Sequence, residues 1–575
     1  MTANAAGKNL DGTDKASALA HLIAENAAQA ASARPAALTA MRKAVRHYKK
    51  GEWAPAAIAA AEAADADAKY AAAYHLLALA LDNLGQRHKA FEMYEQALAL
   101  DPHDPDIYLN VGTAAWGLGL FDGAEKAFRA YIGMRPDCSK GYNNLAGCLR
   151  DMGQIDAAID VARNAIMLMP EAAELWNTLG TIMGEISDFD NAVTFYKEAQ
   201  RLDPRMSRAF HNLGHAQAHV GPLDEAVANY TRALALCHVD SERAEILHAR
   251  GLALAAMGRL TEGWAEYEER HNPRFSQSVY FAVDAPRWEG EDLTGKTLLV
   301  GGEQGLGDEI MLAGLIPDLI ERVGPSGKVM IACDQRLVPL FQRSFPQTHV
   351  GHEMHTKHNA KPVRVIPWAT GELKADYFTP MGSPLGTLRP TVESFPRRPF
   401  LKADPARVRF WQDRLDSLGP GPYVGICWRS MLLTTQRKKF FSALELWAPI
   451  LENTGVKFVN LQYGDCKEEL DHVRRKLGVA IHNFEDIDLK MHLDDNAALC
   501  TALDLVISAP TAAAALAAAT GTETWFLAAG RTWPQLGTDH YPWYADTRVL
   551  TPEKFGDWPA VMTRLAADLN GFLAR

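Results

Sequence analysis

The chain has 575 residues, too many for a single hydrophobic core, so several domains are expected. It is 48% hydrophobic and 22% charged with a net charge of −11, an ordinary globular balance that argues against a general nucleic-acid binder. Seven scattered cysteines with no C-x-x-C pair argue against a disulfide framework or a zinc site and for a reducing cytoplasm. No run of about 18 strongly apolar residues predicts a membrane span, and the opening MTANAAGKNLDGTDK lacks the apolar core of a signal peptide.

Residues 1–37 are Ala-rich and polar and read as a tail with a short helix near Ala18 to Ala31. From residue 38 to 271 the chain repeats itself. Pro102, Pro136, Pro170 and Pro204 recur at a step of 34 residues. The same step carries Gly112, Ala146, Gly180 and Gly214, and also Gly85, Gly119, Gly153 and Gly221, with Ser187 in the missing slot. Ala90, Ala124, Ala158, Ala192 and Ala226 keep it too, as do the large residues Tyr74, Tyr108, Tyr142, Trp176 and Phe210. Small residues where helices cross and Pro after the second helix of each pair resemble the tetratricopeptide repeat, TPR. Such repeats stack into a superhelix with a concave groove. Asn110, Asn144 and Asn212 share one register, interrupted by Thr178. Side-chain amides both donate and accept, so this row is expected to hold an extended peptide segment with little sequence preference.

After Pro286 the pattern changes. Thr297 to Val300 reads as a buried strand and is followed by Gly301, Gly302, Gly305, Gly307 and Asp308, then by apolar residues at helical spacing. Strand, glycine turn and helix open an α/β domain. Glycines let a ligand approach the backbone and free helix amides favour anions. The spacing is not Gly-x-Gly-x-x-Gly, so no dinucleotide fingerprint is read. Strand-like runs follow at Lys328 to Cys333, Val363 to Ile366, Tyr423 to Cys427, Lys457 to Leu461, Leu503 to Ser508 and Glu523 to Ala528. Alternating strands and helices imply parallel sheets. A Pro-rich, basic run from Glu393 to Pro405 divides lobes at 290–400 and 401–575, with ligand sites expected at the carboxyl ends of strands facing the cleft between them.

Several segments lie there. Trp428-Arg429-Ser430 follows one strand, and Arg429 is placed for a charge-assisted contact to phosphate. Arg437, Lys438 and Lys439 form a basic cluster that reads equally as a solvated loop. Ser508 and Thr511 end another strand and open a helix of small residues, suited either to cradle phosphate or to cap the helix. His352, His355 and His358 read as a variable loop, and no metal site is compelling.

The order GGEQGLGDEIMLA, VGICWRS, LDLVISAPTAAAALAAATG and WYADTRVL behind TPR units resembles bacterial TPR–glycosyltransferase proteins. Their catalytic half is a GT-B fold related to the heptosyltransferases, a pair of Rossmann-like lobes that needs no metal. The nearest likeness is to the flagellin-modifying glycosyltransferases, whose TPR half recruits flagellin. O-GlcNAc transferase is similar in domain order. The resemblance implies that the Asp after Gly-x-Gly, here Asp308 behind Gly305 and Gly307, is the catalytic base, with Glu309 and Glu303 as neighbours able to take the role. It implies a donor site from Gly305, Gly307, Trp428, Arg429, Ser430, Lys438, Ser508 and Thr511. Heptosyltransferase-like enzymes often carry a His in the helix after the Thr; here stands Ala515-Leu516-Ala517-Ala518. That departure fits a different donor, and the flagellin-modifying relatives use CMP-activated nonulosonic acids. The expected protein is therefore a cytoplasmic protein O-glycosyltransferase without cofactor. A TPR scaffold that only binds partners, and a lipopolysaccharide transferase, are the alternatives.

Overall fold

The computed structural model describes residues 35–574 other than 304, 359–360, 432–434 and 439. The helix expected near Ala18 to Ala31 and the side chain of Lys439 lie outside the described residues. Two compact units are present: one of residues up to Gly184 with Asn191–Arg205, the other of Glu185–Asp190 with Met206–Arg575.

The first unit is a stack of antiparallel helix pairs that begins with Pro35–Lys49 and Trp53–Ala66. Within each pair the chain reverses at a left-handed residue: Gly51, Gly85, Gly119 and Gly153 all have φ of +74° to +77°. Glycine takes that conformation without the Cβ penalty that other residues meet. Where helices cross, the repeated small residue lets a ring sit on the backbone. A Cβ on Gly112 would meet Phe128 at 2.6 Å, and one on Gly180 would meet Tyr196 at 2.7 Å. Successive repeats are joined by polar contacts between residues 35 apart, one more than the repeat step. Asn83 donates to the Tyr48 hydroxyl at 3.3 Å, Asn110 bonds His75 at 2.8 Å, and Trp116 donates to Asp151 at 2.9 Å. The core between helices is mostly alanine, which permits close approach.

The second unit opens with four more helices of the array: Ser207–Val220, Leu223–Leu236, Asp240–Ala256 and Leu260–Tyr267. They cluster with the α/β half because aromatic side chains join them. Trp264 packs edge-on to Trp533 and Trp543 and donates its indole N–H to the Arg389 carbonyl at 2.8 Å.

The α/β half is built on two parallel sheets. The first has β2 (Thr297–Gly301), β3 (Lys328–Cys333), β4 (His349–His352) and β7 (Tyr377–Pro380) in the order β4-β3-β2-β7. The second has β8 (Tyr423–Cys427), β9 (Lys457–Asn460), β10 (Ile481–His482), β11 (Leu505–Ser508), β12 (Thr524–Leu527) and β13 (Thr547–Leu550) in the order β10-β9-β8-β11-β12-β13. The run near Val363 departs from expectation. It forms β6 (Lys361–Val365) in a separate mixed sheet with β1 (Tyr280–Ala282) and β5 (Met354–His358). A short apolar run fixes a strand but not the sheet that accepts it. The fold is thus a TPR superhelix followed by an α/β region with parallel sheets. No helix among the described residues is long and apolar enough to cross a membrane.

Candidate functional site

The glycine turn leaves the end of β2, a central strand, and leads into the helix Leu306–Leu312. Gly305 has φ +104°, and a Cβ there would lie 2.7 Å from Asp308 Oδ2. Only glycine satisfies both the backbone and the carboxylate that folds back over it. Gly302 is equally constrained, because a Cβ would meet Glu309 Oε1 at 2.8 Å and Glu353 Oε1 at 3.2 Å.

In the second sheet β8 and β11 are neighbours, with Cys427 opposite Ser508. The segments that follow, 428–430 and 509–511, therefore emerge side by side. The helix Ala512–Thr520 starts from there, its residues Ala513–Ala519 all buried, and ends at Gly521 with φ +101°. Its alanines let the Leu306–Leu312 helix pack directly on it; even a Cβ on Gly307 would be only 3.8 Å from the Ala512 nitrogen. Thr511 occupies the N-cap position, but its hydroxyl makes no capping hydrogen bond. It turns instead to Ser508 Oγ at 3.2 Å and Cys427 Sγ at 3.6 Å. The first amides of this helix thus have no side-chain cap.

Between these elements lies a cleft of about 440 Å³. Of the residues singled out from sequence, Gly305, Gly307, Asp308, Ser430 and Thr511 line it. Arg336, Arg437 and Lys490 bring positive charge to its wall, while Tyr463, Phe526, Tyr541 and Tyr544 bring aromatic rings. The other singled-out residues lie elsewhere. Trp428 is buried, its indole donating to Glu469 at 2.8 Å. Arg429 is turned the same way, bonding Glu469 through Nε at 2.9 Å and the Asp465 carbonyl at 2.9 Å. Ser508 is fully buried and donates to the Ala509 carbonyl at 2.6 Å. Lys438 is exposed on the short helix Thr435–Lys438, one residue beyond the cleft-lining Arg437. Glu309 is 2% exposed beneath the turn, where it accepts from the Asp334 amide at 2.8 Å. In the helical array Asn110 is buried against His75, while Asn144 and Asn212 are half-buried.

The electrostatics of the turn follow from burial. The Asp308 side chain is exposed on the cleft wall, in a dense part of the protein, and it makes no hydrogen bond among the described residues. Desolvation, with the charge of Glu303 added, raises its pKa to about 7. A helix start favours the ionised carboxylate, but here desolvation and Glu303 act the other way and prevail. Glu309 is pushed up to about 8 by burial. Glu303 is the opposite case. Burial opposes its charge, but Arg270 and His271 more than offset that and hold the carboxyl well below the usual range. Arg270 Nη2 reaches Glu303 Oε1 at 2.9 Å, the Gly382 amide donates to the same oxygen at 3.0 Å, and the Arg270 guanidinium stacks 3.9 Å over Tyr267. The short 3-10 turn Glu268–His271, directly after the last helix of the array, thus anchors the glycine turn, a link that no sequence motif announced. Among the described residues no cluster of His, Cys, Asp or Glu is arranged to hold a metal.

The tetratricopeptide-repeat family matches residues 75–138 and 173–206. Protein FlbA of Caulobacter vibrioides is 40% identical over 535 residues, 93% of this chain and 90% of FlbA. The chain belongs to the FlbA family. Among solved structures, a thermophilic TPR protein of Thermus thermophilus is 24% identical, with a TM-score of 0.28, over 31% of this chain and 96% of its own. YrrB, described as a TPR protein with an unusual peptide-binding site, is 21% identical, with a TM-score of 0.25, over 34% of this chain and 98% of its own.

For this FlbA-family chain, sequence reasoning missed Arg336, Lys490, Tyr463 and Arg270. Lys490 lies in an irregular segment and Arg336 beside a helix start, positions with no motif value. Arg336 is held on Asp334 through Nε at 2.8 Å and bonds the Lys490 carbonyl at 3.1 Å. A basic residue just past a strand end was the available signal for Arg336, which follows β3 by three positions.

Proposed function

We propose that this protein is an O-glycosyltransferase. It transfers a sugar from a nucleotide donor, a CMP-linked nonulosonic acid, to Ser or Thr hydroxyls of flagellin held by the TPR superhelix. The observation that carries the reading is one cleft with a carboxylate of raised pKa on one wall and an uncapped helix start on the other. Sugar transfer needs a base for the hydroxyl proton and a group that stabilises the departing phosphate. Asp308, titrating near neutrality, accepts the proton of the attacking hydroxyl as its oxygen bonds to the anomeric carbon. The bond from that carbon to the phosphate oxygen breaks, and the phosphate keeps the electron pair. The Ala512–Thr520 helix amides, Ser430, Arg437 and Lys490 receive the developing charge. Neither Arg437 nor Lys490 has a carboxylate partner among the described residues, so both charges are available. The repeats supply the protein-binding half, and the flagellin and donor identities rest on the family resemblance alone.

The test is intact-mass analysis of flagellin co-expressed with the full chain and a nonulosonic-acid pathway. Wild type adds the mass of the sugar, and Asp308→Asn adds none while still co-purifying flagellin. Unmodified flagellin with wild type overturns the reading and leaves a binding scaffold. Modification that survives deletion of residues 38–205 removes the role of the repeats.

A further inference from the structure

The cleft's polar lining falls into two groups. Ser430, Arg437 and Tyr463 stand together, near the start of the Ala512–Thr520 helix. Tyr541 and Tyr544 stand with Asp308, close enough to feel its charge. The two tyrosines differ. Tyr541 is bonded to Thr532 Oγ1 at 2.9 Å. Tyr544 is 2% exposed, yet its hydroxyl bonds no group among the described residues. Sealed, unpartnered side-chain atoms occur at His271 and Glu353 but not at Tyr544. Its hydroxyl is therefore the part of the side chain open to the cleft. The ring lies nearly parallel to Phe400 and to Phe526, at 6.1 and 6.3 Å, which fixes its direction. Burial, then Tyr541 and Asp308, keep the hydroxyl protonated, so it presents a donor.

A hydroxyl donor that faces the cleft with no protein partner is free to bond a ligand's acceptor in place of water. On the reading above, the phosphate lies at the Ser430–Arg437 group and the attacked carbon lies beside Asp308. That carbon is bonded to the phosphate oxygen and belongs to the sugar, so the rest of the sugar extends from it on the side of Asp308 and the two tyrosines. We propose that Tyr544 is a specificity-determining residue whose hydroxyl donates a hydrogen bond to an oxygen of the donor's sugar moiety, and not to its nucleotide. This inference rests on the proposed donor site.

The test compares CMP with CMP-N-acetylneuraminate, an available nonulosonate donor, by calorimetry on the full-length wild type and Tyr544→Phe. The Phe variant keeps the ring and its two stacking partners. It is expected to bind CMP as wild type does and CMP-N-acetylneuraminate at least about threefold more weakly, the effect of one lost hydrogen bond. Unchanged CMP affinity in the variant also certifies its fold. Equal loss for both nucleotides, or no loss for either, overturns the role of Tyr544 and leaves the donor site standing. Failure of wild type to bind either nucleotide overturns the donor assignment and this inference with it.

Discussion

Arg270→Met removes the cation that ties the turn after the last TPR helix to the glycine turn, together with its bond to Glu268 at 2.7 Å. Arg270 and Glu303 are each 8% exposed, and they meet at 2.9 Å. Removing the cation strands a buried carboxylate, at a cost of about 3–5 kcal/mol, and the lost stacking over Tyr267 adds on the order of 1 kcal/mol. Met fills much of the same volume, so the loss is electrostatic rather than a cavity. Glu303→Gln on top of Arg270→Met removes the stranded charge while Gly382 keeps its acceptor. The double variant should therefore recover roughly 2–3 kcal/mol relative to Arg270→Met alone. Urea unfolding of the full chain followed by tryptophan fluorescence reads this, with Trp533, 5.9 Å from Tyr267, among the reporters. A second consequence concerns Asp308. Once Glu303 is neutral, one of the two causes that raise the Asp308 pKa is gone, so that pKa falls from about 7. The acid limb of the glycosylation pH profile should then move to lower pH in the double variant. An Arg270→Met loss under about 1 kcal/mol, or a double variant no more stable than the single, refutes the reasoning.

Gly305→Ala should abolish sugar transfer and lower the stability of the α/β half by about 1–3 kcal/mol, since φ +104° and the Asp308 carboxylate both oppose a Cβ; thermal unfolding with intact-mass analysis checks it. Glu309 has a raised pKa in the fold, so the folded state holds its proton longer than the unfolded chain does. Its stabilisation is complete below about 4.5 and is lost as pH rises to about 8. Glu309→Gln should flatten stability against pH over that window by about 3 kcal/mol at pH 7, and parallel slopes in the two proteins would count against it. In the array, two glycine changes should have opposite signs. Gly180→Ala drives a Cβ into Tyr196 at 2.7 Å and should cost about 1–2 kcal/mol. Gly123→Ala, with nothing within 4 Å of the new Cβ, should gain up to about 1 kcal/mol from helix propensity, both read by urea unfolding of the full chain.

The sequence by itself determined what depends on neighbours along the chain. A step of 34 residues defines the repeats, because each pair of helices meets the next in the same way. Four glycines of one register all turn the chain at positive φ, and Ser187 in the vacant slot does the same at +58°. Gly221, in that register too, sits at φ −113°, because register predicts a turn's place and not its dihedral angle. The strand, glycine turn and helix at Thr297–Leu312 were legible for the same local reason. The tertiary structure alone decided which charges meet. Arg429 directly follows Trp428 at a strand end, yet Glu469, forty residues away, draws it from the cleft. Arg336, Arg437 and Lys490, scattered over more than 150 residues, take the cleft wall instead. The basicity of Asp308 belongs to the same class. Its local setting argues for an ordinary carboxylate, but desolvation depends on everything packed around it, and that is set by how two sheets and a helical array close on one turn.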